Sequence, residues 1–320
     1  MATESTTKST YSANAIKQSR ASQGAHHTRG KHHEPIRHAG MESFTGRAEC
    51  AGECQYRYSH HYRLYESRAI LGARCAIHEG VNIMAKPKGF ILYEGASVLD
   101  GAPIVVIATM ATNNPKTGAM VQTWIIRSDM DPMDASKQGL DSSVCGNCPL
   151  RVSLGGACYV TIFQAPLAVY RAYKRGNYTP FDASEHGHLI EKRKVRLGAY
   201  GDPAAVPFEV MDSFAKLSRG HTGYTHQFNH KNFDRRYLEL CMVSADTLNG
   251  AKKAHLLSAR TFRVIASDAP APTSELECLS DSEGLSCIEC GLCDGKREAP
   301  SIFIRAHGSR AGRFLNNKRA

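Results

Sequence analysis

From residue 84 onward, apolar residues come in short runs broken by glycine, proline and polar clusters; before that point they show no sustained period. Gly89–Tyr93 and Pro103–Thr109 read as strands flanking the turn signal Leu99-Asp100-Gly101, and Met120–Arg127, with the sole tryptophan Trp124, reads as a third. In Gln164–Lys174 the apolar positions Leu167, Val169, Tyr170 and Tyr173 have helical spacing, and Gly176 stops the helix. The C-terminal half then alternates. Strands are expected at Val195–Tyr200, Gly223–Gln227, Leu238–Val243, Thr261–Ile265 and Ser301–Arg305. Helices are expected at Pro203–Leu217, with Pro in its first turn, and at Leu248–Leu257. Ser267–Gly284, rich in Ala, Pro, Ser and acidic residues, reads as a surface loop. Such alternation predicts an α/β fold, first a (β/α) barrel or partial barrel with cysteine-rich metal-binding insertions, second an open doubly wound sheet. No glycine-rich phosphate loop is present, which counts against nucleotide-binding folds.

Residues 1–83 differ in kind. They hold eight of the fifteen histidines and no aspartate, with few aliphatic residues to build a core. The expectation is a disordered basic, His-rich extension, or upstream sequence of a mistaken gene model with Met84 as the natural start. Residues 84–320 are then a single α/β metal-containing domain. Cys50, Cys54 and Cys75 with His60 or His61 make a weak further metal knuckle.

Two cysteine constellations change the picture most. Cys145-Gly-Asn-Cys148 is followed by Cys158, and Cys287-Ile-Glu-Cys290-Gly-Leu-Cys293 has Cys278 upstream and His307 downstream. Two-residue gaps between thiols form knuckles that converge sulfurs on one ion, so zinc or an iron–sulfur centre is expected rather than disulfides. The late group satisfies tetrahedral zinc with His307 or Cys278 as fourth ligand. The early group suits zinc with one more donor, or an iron–sulfur cluster with an open iron position. The bland alternative is unligated buried thiols, the reading given to Cys241.

In parallel α/β folds, polar residues just after strands collect at the active edge. Here those are Asp202, His226, Asp246 and Arg263 as catalytic candidates, with Tyr200, Gln227 and Thr247 beside them as substrate contacts. Asn114 and Lys116, in a polar loop, are candidates for binding a phosphate or base. Each has a plain alternative: helix caps for Asp202 and Asp246, a hydrogen-bonded histidine, a salt-bridge arginine, a turn. The net charge of +10 favours an acidic partner, nucleic acid and first of all DNA. Tyr170-Arg171-Ala-Tyr173-Lys174-Arg175 and Lys192-Arg193-Lys194 interleave cations with aromatics as such binding requires. No run of apolar residues is long enough for a transmembrane helix, and no secretory h-region is present, so a cytoplasmic protein is expected.

From Gly89 on, the chain resembles a family of tailed-phage and prophage proteins. The likeness is carried by Gly89-Phe-Ile-Leu-Tyr-Glu-Gly, Lys116-Thr-Gly, Cys145-Gly-Asn-Cys148, Gly156-Ala-Cys158-Tyr-Val, Arg196-Leu-Gly-Ala-Tyr-Gly-Asp202-Pro, Gly223-Tyr-Thr-His226-Gln, Arg260-Thr-Phe-Arg263-Val and Cys290-Gly-Leu-Cys293-Asp-Gly. The general layout also looks like barrel enzymes of the radical and base-exchange kinds. A more distant likeness is to the guanine transglycosylases, including phage enzymes that place 7-deazaguanine into DNA. That likeness implies a base-exchange transferase in which Asp202 binds the base, Asp246 is the nucleophile, and Cys287, Cys290, Cys293 and His307 hold a structural zinc. The cysteine spacing here differs from the C-x-C-x2-C of those enzymes.

Overall fold

In a computed structural model, the described residues are 46–50, 54–58, 86–295, 298–308 and 310–317. The chain divides into two units, Met1–Gly80 and Val81–Ala320. In the first, strands β1 (Gly46–Cys50) and β2 (Cys54–Tyr58) pair antiparallel, with Cys50 opposite Cys54. The rest of residues 1–83, with His60, His61 and Cys75, lies outside the described residues.

The second unit begins with an antiparallel meander of β3 (Gly89–Ala96), β4 (Pro103–Thr109) and β5 (Val121–Arg127). The Leu99-Asp100-Gly101 turn joins the first two, with Gly101 at φ +80°. Strand β4 is its hydrophobic axis: Ile104, Val105, Val106, Ile107 and Ala108 are fully buried. Burial of each larger aliphatic side chain there is worth about 1.5–3 kcal/mol. β6 (Thr179–Pro180) flanks β3, while β7 (Lys194–Tyr200) adds parallel to β5 and β8 (Gly220–Thr222) parallel to β7.

Beyond β8 the chain enters a second, wholly parallel sheet. Its order is β9 (Tyr224–Thr225), β10 (Met242–Ser244), β11 (Thr261–Ile265), β13 (Ile302–Arg305) and β12 (Leu276–Glu277). Gly223 joins β8 to β9 and is the pivot between the sheets. Its amide donates to the Cys293 carbonyl and its carbonyl accepts from Met242, and a Cβ there would lie 2.8 Å from the Cys241 sulfur. The architecture is therefore α/β, with two mostly parallel sheets, and neither sheet closes on itself.

Several elements depart from the sequence expectation for local reasons. The Pro203–Leu217 helix is broken: a single 3-10 turn, Pro203–Ala205, is followed by extended Val206, and the helix proper is Phe208–Leu217. Pro207 imposes this, since the residue before proline is driven out of the helical region. The Leu238–Val243 strand is displaced, because Tyr237–Leu240 forms a helical turn that buries Tyr237, Leu238 and Leu240, and the strand itself is Met242–Ser244. The Ser267–Gly284 loop contains β12 and a short helix, Leu279–Ser282. The helix Ala165–Lys174 forms as expected, ending before Gly176 at φ +70°.

Candidate functional site

A cavity of about 400 Å³ is bordered by the carboxyl ends of β7, β9, β10, β11 and β13 and by both cysteine groups. The first group is held by a clamp. The CGNC knuckle turns at Gly146, φ +51°, where a Cβ would fall 2.1 Å from the Gln227 amide oxygen. That oxygen accepts from the Asn147 amide (3.0 Å), and Gln227 Nε2 donates to the Cys145 carbonyl (2.9 Å) and to Asp202 Oδ2 (3.1 Å). The Asp202 amide in turn donates to the Val144 carbonyl (2.7 Å). Gln227, expected to contact substrate, is instead fully buried and grips the knuckle backbone.

Asp202 has little left to offer a substrate. Oδ1 accepts from the Ala204 amide (3.0 Å), and Oδ2 accepts from the His226 amide (2.8 Å) as well as from Gln227. Burial lifts its carboxyl above the usual range, against the pull of these donors and of the His226 charge. Its role as a cap therefore holds, and the carboxylate additionally ties two strand ends together. Asp246, by contrast, is not a cap. The Thr247 hydroxyl takes that position on the helix Leu248–Leu256, accepting from Gly250 (3.0 Å), which leaves Asp246 facing the cavity.

Asp246 Oδ1 lies 3.4 Å from His226 Nε2, and Cys148 Sγ lies 3.7 Å from the same nitrogen. Burial alone would lower the His226 pKa, but Asp246 and Cys148 together raise it well above the ordinary value. Because both neighbours meet Nε2, the imidazole cannot pass a proton from the thiol on one nitrogen to the carboxylate on the other. A relay of the cysteine-protease kind needs the two contacts on opposite nitrogens.

Cys145 lies within electrostatic reach of Cys148 and Cys158, and Cys158 of Cys148. Burial, first, and then these neighbours push the Cys145 thiol well up; burial likewise raises Cys158. In the second group, Cys287, Cys290 and Cys293 each lie within electrostatic reach of Cys278. Burial raises all three, Cys293 to about 12. Its sulfur is also hydrogen-bonded by the Tyr224 hydroxyl. Among the described residues, no three His, Cys, Asp or Glu side chains stand as a ready-made cage for a metal ion.

His307 is placed differently from the expected fourth zinc ligand. Its Nδ1 meets the Arg305 carbonyl (2.8 Å), and its Nε2 lies 3.4 Å from Lys116 Nζ, itself paired with Asp281 at 2.7 Å. Cys278, by contrast, packs beside Cys293. His307→Ala is accordingly expected to leave metal content unchanged, and Cys278→Ala to release one metal site, both read by elemental analysis; the reverse pattern would restore His307 as ligand.

The remaining candidates divide between cavity and scaffold. Tyr200, Asn114 and Lys116 border the cavity. Asn114 also makes the turn that presents Lys116, whose carbonyl accepts from Cys287 (2.7 Å). Arg263 does not reach the cavity. It is buried in a bidentate pair with Glu275 (2.7 and 2.8 Å), because Phe262 and Val264 take the inward positions of β11. In the cation–aromatic helix, Tyr170 and Tyr173 pack against the core, Lys174 Nζ sits 5.9 and 5.7 Å from their rings, and Arg171 and Arg175 are exposed. Lys194 Nζ donates to the Ile288 carbonyl (2.7 Å) and Arg193 to that of Ala119 (2.9 Å). Among the described residues, no helix is long and apolar enough to cross a membrane.

Sequence reasoning missed Arg196. It is an inward residue of β7 that borders the cavity, and the period-two pattern of Lys194, Arg196 and Gly198 was the available signal. Comparison with known families, curated proteins and solved structures finds no match to this chain.

Proposed function

We propose that the protein is a radical-type iron–sulfur enzyme in which Cys145, Cys148 and Cys158 hold the cluster and the cavity holds the substrate. The observation that carries this reading is that three thiols, on a backbone clamped by Gln227 and Asp202, border the cavity at the carboxyl edge of the parallel strands. We read the two sheets as parts of a partial barrel around that cavity, the arrangement in which loops after strands carry chemistry. The donor set fits, since soft thiolates select iron–sulfur clusters or zinc over harder metals. A cluster held by three thiolates supplies one-electron chemistry and leaves an iron position for a small molecule.

The chain's own residues then have distinct tasks. Gln227 and Asp202 fix the knuckle. The pair His226–Asp246, its imidazole favouring the protonated form, holds a proton at Nε2 against the cavity. Cys278, Cys287, Cys290 and Cys293 would hold a structural zinc, with a complete set of four sulfurs.

Base exchange on DNA, implied by the distant likeness to transglycosylases, ranks lower because it needs two available carboxylates, and Asp202 has both oxygens engaged. A second reading, zinc in the first group too, is favoured by the 3.7 Å approach of His226 to Cys148, which could complete a three-cysteine, one-histidine set. The basic charge supports an acidic substrate, with nucleic acid as the first class to try.

Anaerobic purification divides these readings. The proposal expects brown protein with iron and acid-labile sulfide near four per chain, as a four-iron cluster requires, together with about one zinc. Colourless protein carrying only zinc would overturn it in favour of the second reading.

A further inference from the structure

We infer that Arg196 is the receptor for an anionic group, carboxylate or phosphate, on the molecule that the cavity takes. The inference rests on reading that cavity as the substrate site. Arg196 is half-buried on the inward face of β7 and borders the cavity beside Thr222 and Tyr224. Its Nε is sealed from solvent and has no hydrogen-bond partner. Its Nη2 donates to the Tyr159 hydroxyl at 2.5 Å, a neutral acceptor.

Comparison within the molecule makes this stand out. Arg151, whose Nε likewise has no partner, and Arg260 and Arg263 are each matched by a carboxylate: Asp141 at 2.8 Å, Asp294 at 3.1 Å and Glu275 at 2.7 Å. Among the described residues, no carboxylate pairs with Arg196. Burying a guanidinium without a counter-charge is costly, and a chain that retains one in a cavity has a use for an anion there. The planar fork of N–H donors matches a carboxylate or a phosphate in the two-point manner that a lysine cannot reproduce.

The location fits a substrate handle rather than the reacting centre. Cys287 lies near Arg196, whereas Cys145 and Cys158 lie near Tyr200, four residues further along the strand. β7 is bulged between Arg196 and Tyr200 at Gly198, so these two stand opposite Gln122 and Trp124 of β5, two strand residues or on the order of 7 Å apart. A molecule anchored by its acid on Arg196 can extend across the cavity toward the first cysteine group and His226.

The competing use for this charge is to neutralise thiolates of the second cysteine group, of which Cys287 is the neighbour. Thermal unfolding of the full-length, anaerobically purified protein, at fixed ionic strength, separates the two. Wild type and Arg196→Gln are melted with inorganic phosphate, with acetate, and with neither, and iron and zinc are measured on every sample. Saturating anion is expected to raise the wild-type Tm by about 2–4 °C, and the shift to vanish in the variant. The variant without anion is expected to melt no lower than wild type, because an unpaired buried charge has gone.

A shift with phosphate alone identifies a phosphoryl group, and a shift with acetate alone a carboxylate. An equal shift in the variant, no shift in wild type with either anion, or loss of zinc from the variant would each overturn the inference. Anion binding by a protein that contains no iron would leave this inference standing and remove only the iron–sulfur reading.

Discussion

Replacing Cys148 with alanine is expected to strip the protein of iron, to below a tenth of the wild-type content, while the zinc content stays unchanged. The expectation follows from how the two thiol groups are built. All three residues of the first group are half-buried, and burial raises the thiols of Cys145 and Cys158, so without a metal these two are held protonated at neutral pH. Only coordination converts such thiols to thiolates, and the last proton is lost at the expense of metal affinity. Affinity is therefore expected to climb as pH rises toward the thiol range. Removing one of three ligands leaves two that are hard to deprotonate, too few to retain a cluster. The second group contacts other parts of the fold, Lys116, Lys194 and Tyr224, and has no structural reason to respond. Equal loss of iron and zinc would mean that the groups share one site. Unchanged iron would mean that the early cysteines are not ligands.

Much of this was legible in the sequence because it was written in local signals. The strands β4, β5, β7 and β11 lay where their apolar runs placed them, since burial on a pleated surface needs only short-range alternation. The knuckle cysteines were legible from spacing. What spacing could not convey was partnership across the fold. Asp202 stands after a strand and before a proline, the position of both a cap and a catalytic acid, and only the hydrogen bonds from His226 and Gln227 reveal its commitment. Cys278 and His307 were equivalent as fourth donors in sequence. The pairing of β12 with β13, set by Leu276 opposite Ile302, brings Cys278 beside Cys293, whereas His307 turns to Lys116. Gln227 looked like a substrate contact because strand-end amides often are, but Gly146 leaves room for it to clamp the knuckle carbonyl of Cys145, 82 residues away in sequence.

The second large effect is expected at Asp202. Asp202→Ala removes the acceptor for the Ala204 and His226 amides and for the Gln227 side chain at a site only 6 % exposed. Leaving three buried donors unsatisfied costs about 3–5 kcal/mol, within the range for breaking a buried charged network. Asp202→Asn keeps the shape and one acceptor oxygen and is expected to lose about 1–3 kcal/mol. Because the same carboxylate supports Gln227, the alanine variant should also loosen the CGNC knuckle and bind less iron. The pH dependence has a definite sign. Burial raises the folded-state pKa of Asp202 above its unfolded value, so its proton-linked contribution is fully present below the unfolded pKa and is lost as pH rises through the folded one. Asp202→Asn should therefore flatten the fall of stability across that acidic window. Denaturant unfolding between mildly acidic and neutral pH measures both effects. A variant as stable as wild type, with iron intact and only turnover lost, would return Asp202 to the reacting groups and revive base exchange; a destabilised, iron-poor variant places it in the scaffold that holds the thiols.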